Sequence, residues 1–272
     1  MESFGWLPDC PDLRDYTRSH KDILPLLGSP KPSPSSVDLR PFCPPVVDQG
    51  QLGSCTANAA AGLVGYFQRR SFGRTDPASR LFIYKATRNL MRAHGDSGAY
   101  IRTTMGSLAL FGAPPEKYWG YDPAFLDSEP PAFCYSFAQN YQALKYFRLD
   151  ESLKTPSEIL LNIKSTLSQG LPAMFGFSCY TSIRSVGADG KIPFPAPGES
   201  LAGGHAVLAV GYDDSLQIGP STGAFTIRNS WGDGWGDHGY GYLPYDYLLK
   251  ELAMDWWALV KAEWVDVEAF GI

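Results

Sequence analysis

Apolar residues recur at a helical interval in the segment that begins at Ser54: Ala57, Ala60, Ala61, Val64 and Phe67 share a face, and the alanine content favours helix. A second helix is predicted over 77–93, opened by the run Asp76-Pro77-Ala78-Ser79, and a third over 101–111, closed by Gly112. The plainest helix signal lies at 155–170. Thr155 with Glu158 three residues on makes a capping box, Pro156 takes the first helical position, Gly170 ends the helix, and Ile159, Leu160, Ile163 and Leu167 form its apolar stripe. Beyond it the pattern changes to short apolar or aromatic runs bounded by Gly, Pro and Asp. Those at 172–177, 205–213, 224–231 and 239–245 read as strands. Helices first and strands later predict an α+β fold in two unequal halves, with no internal repeat.

Ahead of this pattern, GSPKPSPSS at 28–36 reads as an extended Pro/Ser linker, which places a boundary near Val37. The expected division is an N-terminal extension over 1–36, a mainly helical part over 37–141 and a β-rich part over 142–272.

Composition narrows the function classes. A chain of 272 residues, 44% hydrophobic and 19% charged, buries a sizeable core as one large domain or two lobes. The net charge of −5 is modest and unsegregated, so neither nucleic acid nor an anionic membrane is expected as a partner. The amino terminus lacks the basic start and apolar run of a secretory signal, and no apolar segment approaches the roughly 18–20 residues that span a bilayer. A soluble protein is expected, cytoplasmic or exported by another route. Five scattered cysteines are an odd number, which leaves at least one thiol free and favours a reducing compartment, with one or two disulfides still open. With no CxxC pair, no HExxH and only four histidines, neither metal nor cofactor is expected.

Cys55 can be read two ways. A thiol reacts as thiolate, and the first turn of a helix, with unpaired N–H groups and a positive dipole end, favours that charge. Cys55 stands where that turn should begin, yet a small buried thiol would look the same. A nucleophile also needs a base, and the base needs an orienting group. His205 opens an apolar strand after two glycines, and Asn229 ends the next strand, within its reach if the two strands are neighbours.

VDLR (37–40), DQGQLGSCTANA (48–59), GGHAVLAVGYDD (203–214) and IRNSWGDGWGDHGYGYL (227–243) together resemble the matching blocks of papain-family cysteine proteases, in the same order over about 37–247. The resemblance implies a papain-like two-lobe α+β fold. A helical lobe would carry Cys55, an antiparallel β-barrel-like lobe would carry His205 and Asn229, and the cleft would lie between them. It implies Cys55 as nucleophile, His205 as base and acid, Asn229 as the group orienting His205, and Gln49 as an oxyanion donor. Trp231 would shield the His205–Asn229 hydrogen bond. GDSGAY (95–100) resembles the glycine-rich loop that binds extended substrate, so Gly98 would contact peptide backbone, while Tyr100 and Ala206 would border a side-chain pocket. Two departures stand out: Leu52 replaces the usual cysteine three residues before the nucleophile, and Thr56 replaces the aromatic after it. The short N-terminal extension resembles the bacterial branch of the family, the xylellain type.

The expected activity is endopeptidase cleavage of a peptide or protein substrate by a monomer. An isopeptidase, transpeptidase or cell-wall peptide amidase using the same Cys/His pair is an alternative, as is an inactive peptide-binding module. The N-terminal GWLPDCPDLRDY (5–16) either straps its aromatics onto the body or lies across the cleft and inhibits.

Overall fold

The computed structural model describes residues 3–27, 33–74 and 76–264. In chain order come β1 (Ser36–Asp38), α1 (Cys55–Phe72), α2 (Arg80–Met91), α3 (Ile101–Leu110), α4 (Ala132–Ala138), β2 (Tyr141–Arg148), α5 (Pro156–Ser168), β3 (Ala173–Tyr180), β4 (Leu201–Ile218), β5 (Ser221–Arg228), β6 (Tyr240–Pro244), α6 (Asp246–Leu249) and β7 (Ala253–Trp264). The linker expected at 28–36 falls largely outside the described residues.

The helix starts obey their local chemistry. In α5 both halves of the capping box form, Glu158 N donating to Thr155 Oγ1 at 3.3 Å and Thr155 N to Glu158 Oε2 at 2.8 Å. The second helix starts at Arg80 rather than 77 because Ser79 is its cap, its Oγ accepting from Phe82 N at 3.2 Å. α1 is buried nearly all round, Ala59, Leu63 and Tyr66 included, because it packs on β4 and on α2 at once. The single stripe expected from its sequence is thus too narrow, and Ala61 and Phe67 are only half-buried.

All pairings among the named strands are antiparallel, in the order β2-β7-β3-β4-β5-β6 with β1 added to β4. The sheet is open, not closed into the expected barrel. Its β6 edge is met instead by the loop at 190–192, where Ile192 N donates to Tyr242 O at 3.0 Å and Tyr242 N to Gly190 O at 2.8 Å. β4 is twice the predicted strand: 201–209 pair with β3 and 208–218 with β5. Residues 214–223 form the tip of the β4–β5 hairpin, with Gln217 opposite Thr222. β2 and β7 escape the sequence pattern because register shifts at Ala143, Lys145 and Tyr146 interrupt the alternation of inward and outward residues.

Residues 3–27 are packed, not appended. Ile23 is fully buried in the main core beside Leu27 and Trp6. Asp9 and Asp15 pair with Arg102 at 2.9 and 2.8 Å, and Arg18 donates to Thr166 Oγ1 at 2.9 Å. Ile23→Ala is expected to cost about 2–5 kcal/mol of unfolding free energy, as for other buried Ile truncations, read as a lower urea midpoint at unchanged slope. An unchanged midpoint would mean that this stretch adds nothing to the core.

Candidate active site

Cys55 is the first residue of α1, and Ser54 holds the position before it without a side-chain capping bond, its Oγ accepting instead from Asn58 Nδ2 at 3.0 Å. The loop leading into it is pinned from three sides. Gly53 N donates to the Asp96 carboxylate at 2.9 Å, Tyr121 donates to Gln49 O at 2.9 Å, and the hydroxyls of Ser54 and Tyr121 lie 2.6 Å apart. Asp96 also accepts from the Tyr84 hydroxyl at 2.7 Å, which in turn accepts from Gly98 N at 2.9 Å. One carboxylate thereby ties the loop before Cys55 to the glycine loop at 95–100.

His205 lies near the start of β4, opposite Phe177 of β3, and Asn229 follows the last residue of β5. The pairing of Leu208 with Arg228 brings the two together, with His205 Nε2 and Asn229 Oδ1 at 2.7 Å. Asn229 Oδ1 also accepts from Ser230 N at 2.8 Å, which fixes the amide orientation. Nε2 must therefore carry the ring proton, and Nδ1, which has no hydrogen-bond partner among the described residues, keeps its lone pair. Trp231 stacks on the imidazole, centroids 4.3 Å apart at 23°. The Cys55 thiol meets the N–H of Ala206, the residue after His205, together with those of Gly5 and Thr56.

Both reactive groups are fully buried. Burial pushes the Cys55 thiol up to about 11 against the pull of those N–H groups. It pushes His205 down to about 4, against the opposing hydrogen bond to Asn229. Burial thus favours the neutral form of both the thiol and the imidazole.

Gln49 is also fully buried. Its Oε1 accepts from the Ser230 hydroxyl at 2.5 Å, and its Nε2 donates to Leu52 O at 2.9 Å and Ser3 Oγ at 3.0 Å, with Ser3 O at 3.4 Å. Sequence reasoning missed Ser230, although it lies between two residues singled out there, missed Asp96 although it lies within the quoted GDSGAY block, and missed Tyr84, which carries no motif of its own.

The cleft is filled by the chain's own residues 3–7. Gly5 N and Trp6 N donate to Gly204 O at 3.2 and 3.1 Å, Ala99 N donates to Gly5 O at 2.8 Å, and Leu7 N to Ala99 O at 3.1 Å. The backbone pairing is thus made by Ala99, one residue past Gly98, whose φ of 71° and missing Cβ admit the Gly5 carbonyl. Phe4 meets His205 and Trp231 edge-on, at 6.3 and 6.0 Å. Gly5 passes so close to the loop before Cys55 that a Cβ on it would lie 1.8 Å from Gly53 O. Tyr100 is half-exposed at the start of α3, and Ala206 is buried.

Among the described residues no two cysteines form a disulfide, and Cys10 is exposed while Cys43, Cys55, Cys134 and Cys179 are buried. Among the described residues no group of three or more His, Cys, Asp or Glu could hold a metal ion, and no helix is long and apolar enough to cross a membrane.

The chain is similar to known proteins in sequence and fold. The model for papain family cysteine proteases matches residues 141–249. An uncharacterized peptidase C1-like protein of Acanthamoeba polyphaga mimivirus is 36% identical over 94% of this chain and 86% of its own length. A cathepsin B-like protein of Giardia intestinalis is 28% identical over 76% of this chain and 68% of its own. The crystal structure of xylellain, a cysteine protease from Xylella fastidiosa, superposes with a TM-score of 0.76 at 36% identity, covering 94% of this chain and 95% of that one.

Proposed function

The chain belongs to the papain family of cysteine proteases and is a cysteine peptidase, a hydrolase; on that premise we propose that Cys55, His205, Asn229 and Gln49 are its catalytic residues, and that residues 3–7 keep the resting enzyme shut. The observation that carries the assignment is the His205 ring. Asn229 holds Nε2 at 2.7 Å, which leaves Nδ1 without a hydrogen-bond partner among the described residues, and the N–H of Ala206, the residue after His205, reaches the Cys55 thiol.

Once water and substrate replace the strap, Nδ1 takes the thiol proton and the thiolate attacks a peptide carbonyl carbon. The Gln49 side-chain N–H, steered by Ser230, receives the developing oxyanion. The His205 imidazolium then protonates the leaving amine, and the thioester is released by water that His205 deprotonates. Endopeptidase cleavage of an extended peptide fits a cleft whose walls already pair with backbone on both sides, at Ala99 and at Gly204.

The strap's effect is twofold. It occupies the backbone contacts, and by excluding water it holds Cys55 and His205 neutral. A thiol at about 11 is ionised in roughly one molecule in ten thousand at pH 7. Alkylation by iodoacetamide, mapped by mass spectrometry, is therefore expected to modify exposed Cys10 first in the native chain and to leave Cys55 slow. In a Gly5→Ala chain Cys55 should react at least about tenfold faster than Cys43, Cys134 and Cys179. Equal reactivity of Cys55 and Cys43 in that variant would make Cys55 a structural thiol.

A further inference from the structure

Arg228 ends β5, next to Asn229, and is 3% exposed. A buried cation is costly unless an acid answers it, and the other buried cations of the described residues keep that rule. Lys85 pairs with Glu129 at 3.5 Å, Arg88 with Asp127 at 2.7 Å and Arg148 with Asp150 at 2.9 Å. Arg228 has no carboxylate beside it among the described residues. Its Nη2 donates to Pro45 O at 2.6 Å, while its Nε–H finds no acceptor. The titratable groups around it are Arg80, the Tyr240 hydroxyl and the Cys43 thiol. Burial holds Cys43 up at about 11 and raises Tyr240 as well, so neither is an anion at neutral pH. Arg80 is a second cation, and its charge is met by Glu116 at 2.8 Å. Burial therefore lowers the Arg228 guanidinium from its ordinary range, and Arg80 adds to the fall.

Arg228 lines a cavity of about 210 Å³ between α1, β5 and the loop at 44–47. The walls are apolar, made by Pro44, Pro45, Val47, Ala61, Pro77 and Ala78. Pro45 and Pro77 are exposed, which sets the mouth at the surface. Where α1 passes the guanidinium it carries glycine. A Cβ at Gly62 would lie 2.8 Å from Arg228 Nη1, and one at Gly65 would lie 2.8 Å from Pro44 Cγ. The helix thus leaves room, and with no Asp or Glu anywhere in its sequence it brings no counter-ion. None of the strap residues 3–7 lines this cavity, so it is the same site whether the cleft is filled or cleared.

We propose that the cavity is a binding site for a small monocarboxylate with a short apolar tail, of about the size of butyrate, its carboxylate on the Arg228 guanidinium and its tail along Pro44, Val47 and Ala61. The anion supplies the charge that no side chain supplies, and a guanidinium fork holds a carboxylate through two donors. At about 30 Å³ each, some seven waters would occupy the same space, which suits the six heavy atoms of butyrate. Apolar walls favour a tail over a bare ion by a factor of about four per methylene. Glu116, on the cavity wall, repels a second carboxylate, so a dicarboxylate such as succinate is turned away. The site and the cleft share chain segments and not space: Arg228 precedes Asn229, and Arg80 Nη1 donates at 3.0 Å to the carbonyl of Asp48, the residue before Gln49. The inference does not rest on the peptidase reading.

The test is saturation-transfer proton NMR on the full-length chain in a chloride buffer of constant ionic strength, with sodium butyrate, acetate, succinate and 1-butanol titrated in turn. Butyrate is expected to bind about tenfold more tightly than acetate, which lacks two methylenes. It should exceed 1-butanol, which keeps the tail and lacks the charge, by about tenfold or more, and succinate by at least as much. Arg228→Gln keeps an amide donor for Pro45 O and should weaken butyrate about tenfold or more. Ala61→Leu fills the cavity from a half-buried helix position without touching the guanidinium, and should weaken butyrate as far. Circular dichroism checks both folds, and where Arg228→Gln is too unstable to titrate, Ala61→Leu decides the location alone. Acetate, succinate or 1-butanol binding as tightly as butyrate would overturn the proposal, and so would unchanged butyrate binding in a folded Arg228→Gln or Ala61→Leu chain. No transfer to butyrate at tens of millimolar would mean that the cavity holds water only.

Discussion

Cys55→Ala, placed in a chain whose strap is unseated by Gly5→Ala, is expected to lose peptide cleavage by about 10⁴-fold or more, the scale seen when the nucleophile of a covalent hydrolase is removed. Nothing else in the cleft can take its place. Cys43 and Cys134 lie on other elements, Cys179 is buried on β3 opposite Gly203, and exposed Cys10 lies on the N-terminal segment beyond the strap. Serine in place of cysteine should fare little better, because a His205 ring held by a neutral amide is a weak base for a hydroxyl. Fold loss is not expected to mimic the result. Truncating a thiol to a methyl at the mouth of a helix removes one small atom, and the thermal midpoint should stay within a few degrees of the parent. Initial rates on a mixed peptide substrate, with circular dichroism of both proteins, decide it: a Cys55→Ala chain that still cuts peptides ends the mechanism.

Gly5→Ala itself should raise kcat/KM of the full-length chain by about 10- to 100-fold. The added methyl has nowhere to go, since its position lies 1.8 Å from the Gly53 carbonyl, in the loop that Asp96 pins. Forcing such an overlap costs about 1–3 kcal/mol, and each 1.4 kcal/mol shifts the closed-to-open ratio tenfold. Because the strap is tethered, weakening it exposes the cleft without removing any group that acts on substrate. Removing the whole N-terminal region would be a poorer experiment, for Ile23 and Leu27 belong to the core and Asp15 pairs with Arg102. Hydrogen exchange over residues 3–7 reports whether the strap has lifted. If exchange rises while kcat/KM stays at the parent value, the strap is packing and not a barrier.

The residues proposed for chemistry were readable in the sequence through the resemblance of four short blocks to a known family, since the local pattern around Cys55 alone fits a small buried thiol equally well. Cys55 follows a Gly/Ser loop and opens an alanine-rich helix, and His205 and Asn229 sit at the ends of strands whose apolar runs are unmistakable. α5 was legible to its capping residues, since a capping box is complete within four positions. What could not be read depends on chain segments far apart. The Trp6 indole N–H donates to Asp255 Oδ2 across 249 positions, and neither residue has a periodic context. The register shift of β7 beside Asp255 breaks the very alternation by which that strand would have been found. Asp96 and Ser230 act by holding other residues in place, and an ordinary polar residue in a loop gives no sign of that. The open sheet, too, follows from the loop at 190–192 settling on β6, a tertiary choice with no local signature.

The neutral thiol of the closed cleft has a consequence for the protein's lifetime. Oxidants attack thiolates, and sulfinic and sulfonic acids are not recovered. Cys55, dry and protonated at rest, is sheltered from that chemistry, whereas Cys10 stands in solvent a few residues along the same segment. On the proposed reading, the five residues that fill the cleft also act as a preservative: a resting molecule that ages in an oxidising medium accumulates damage at exposed Cys10 before buried Cys55.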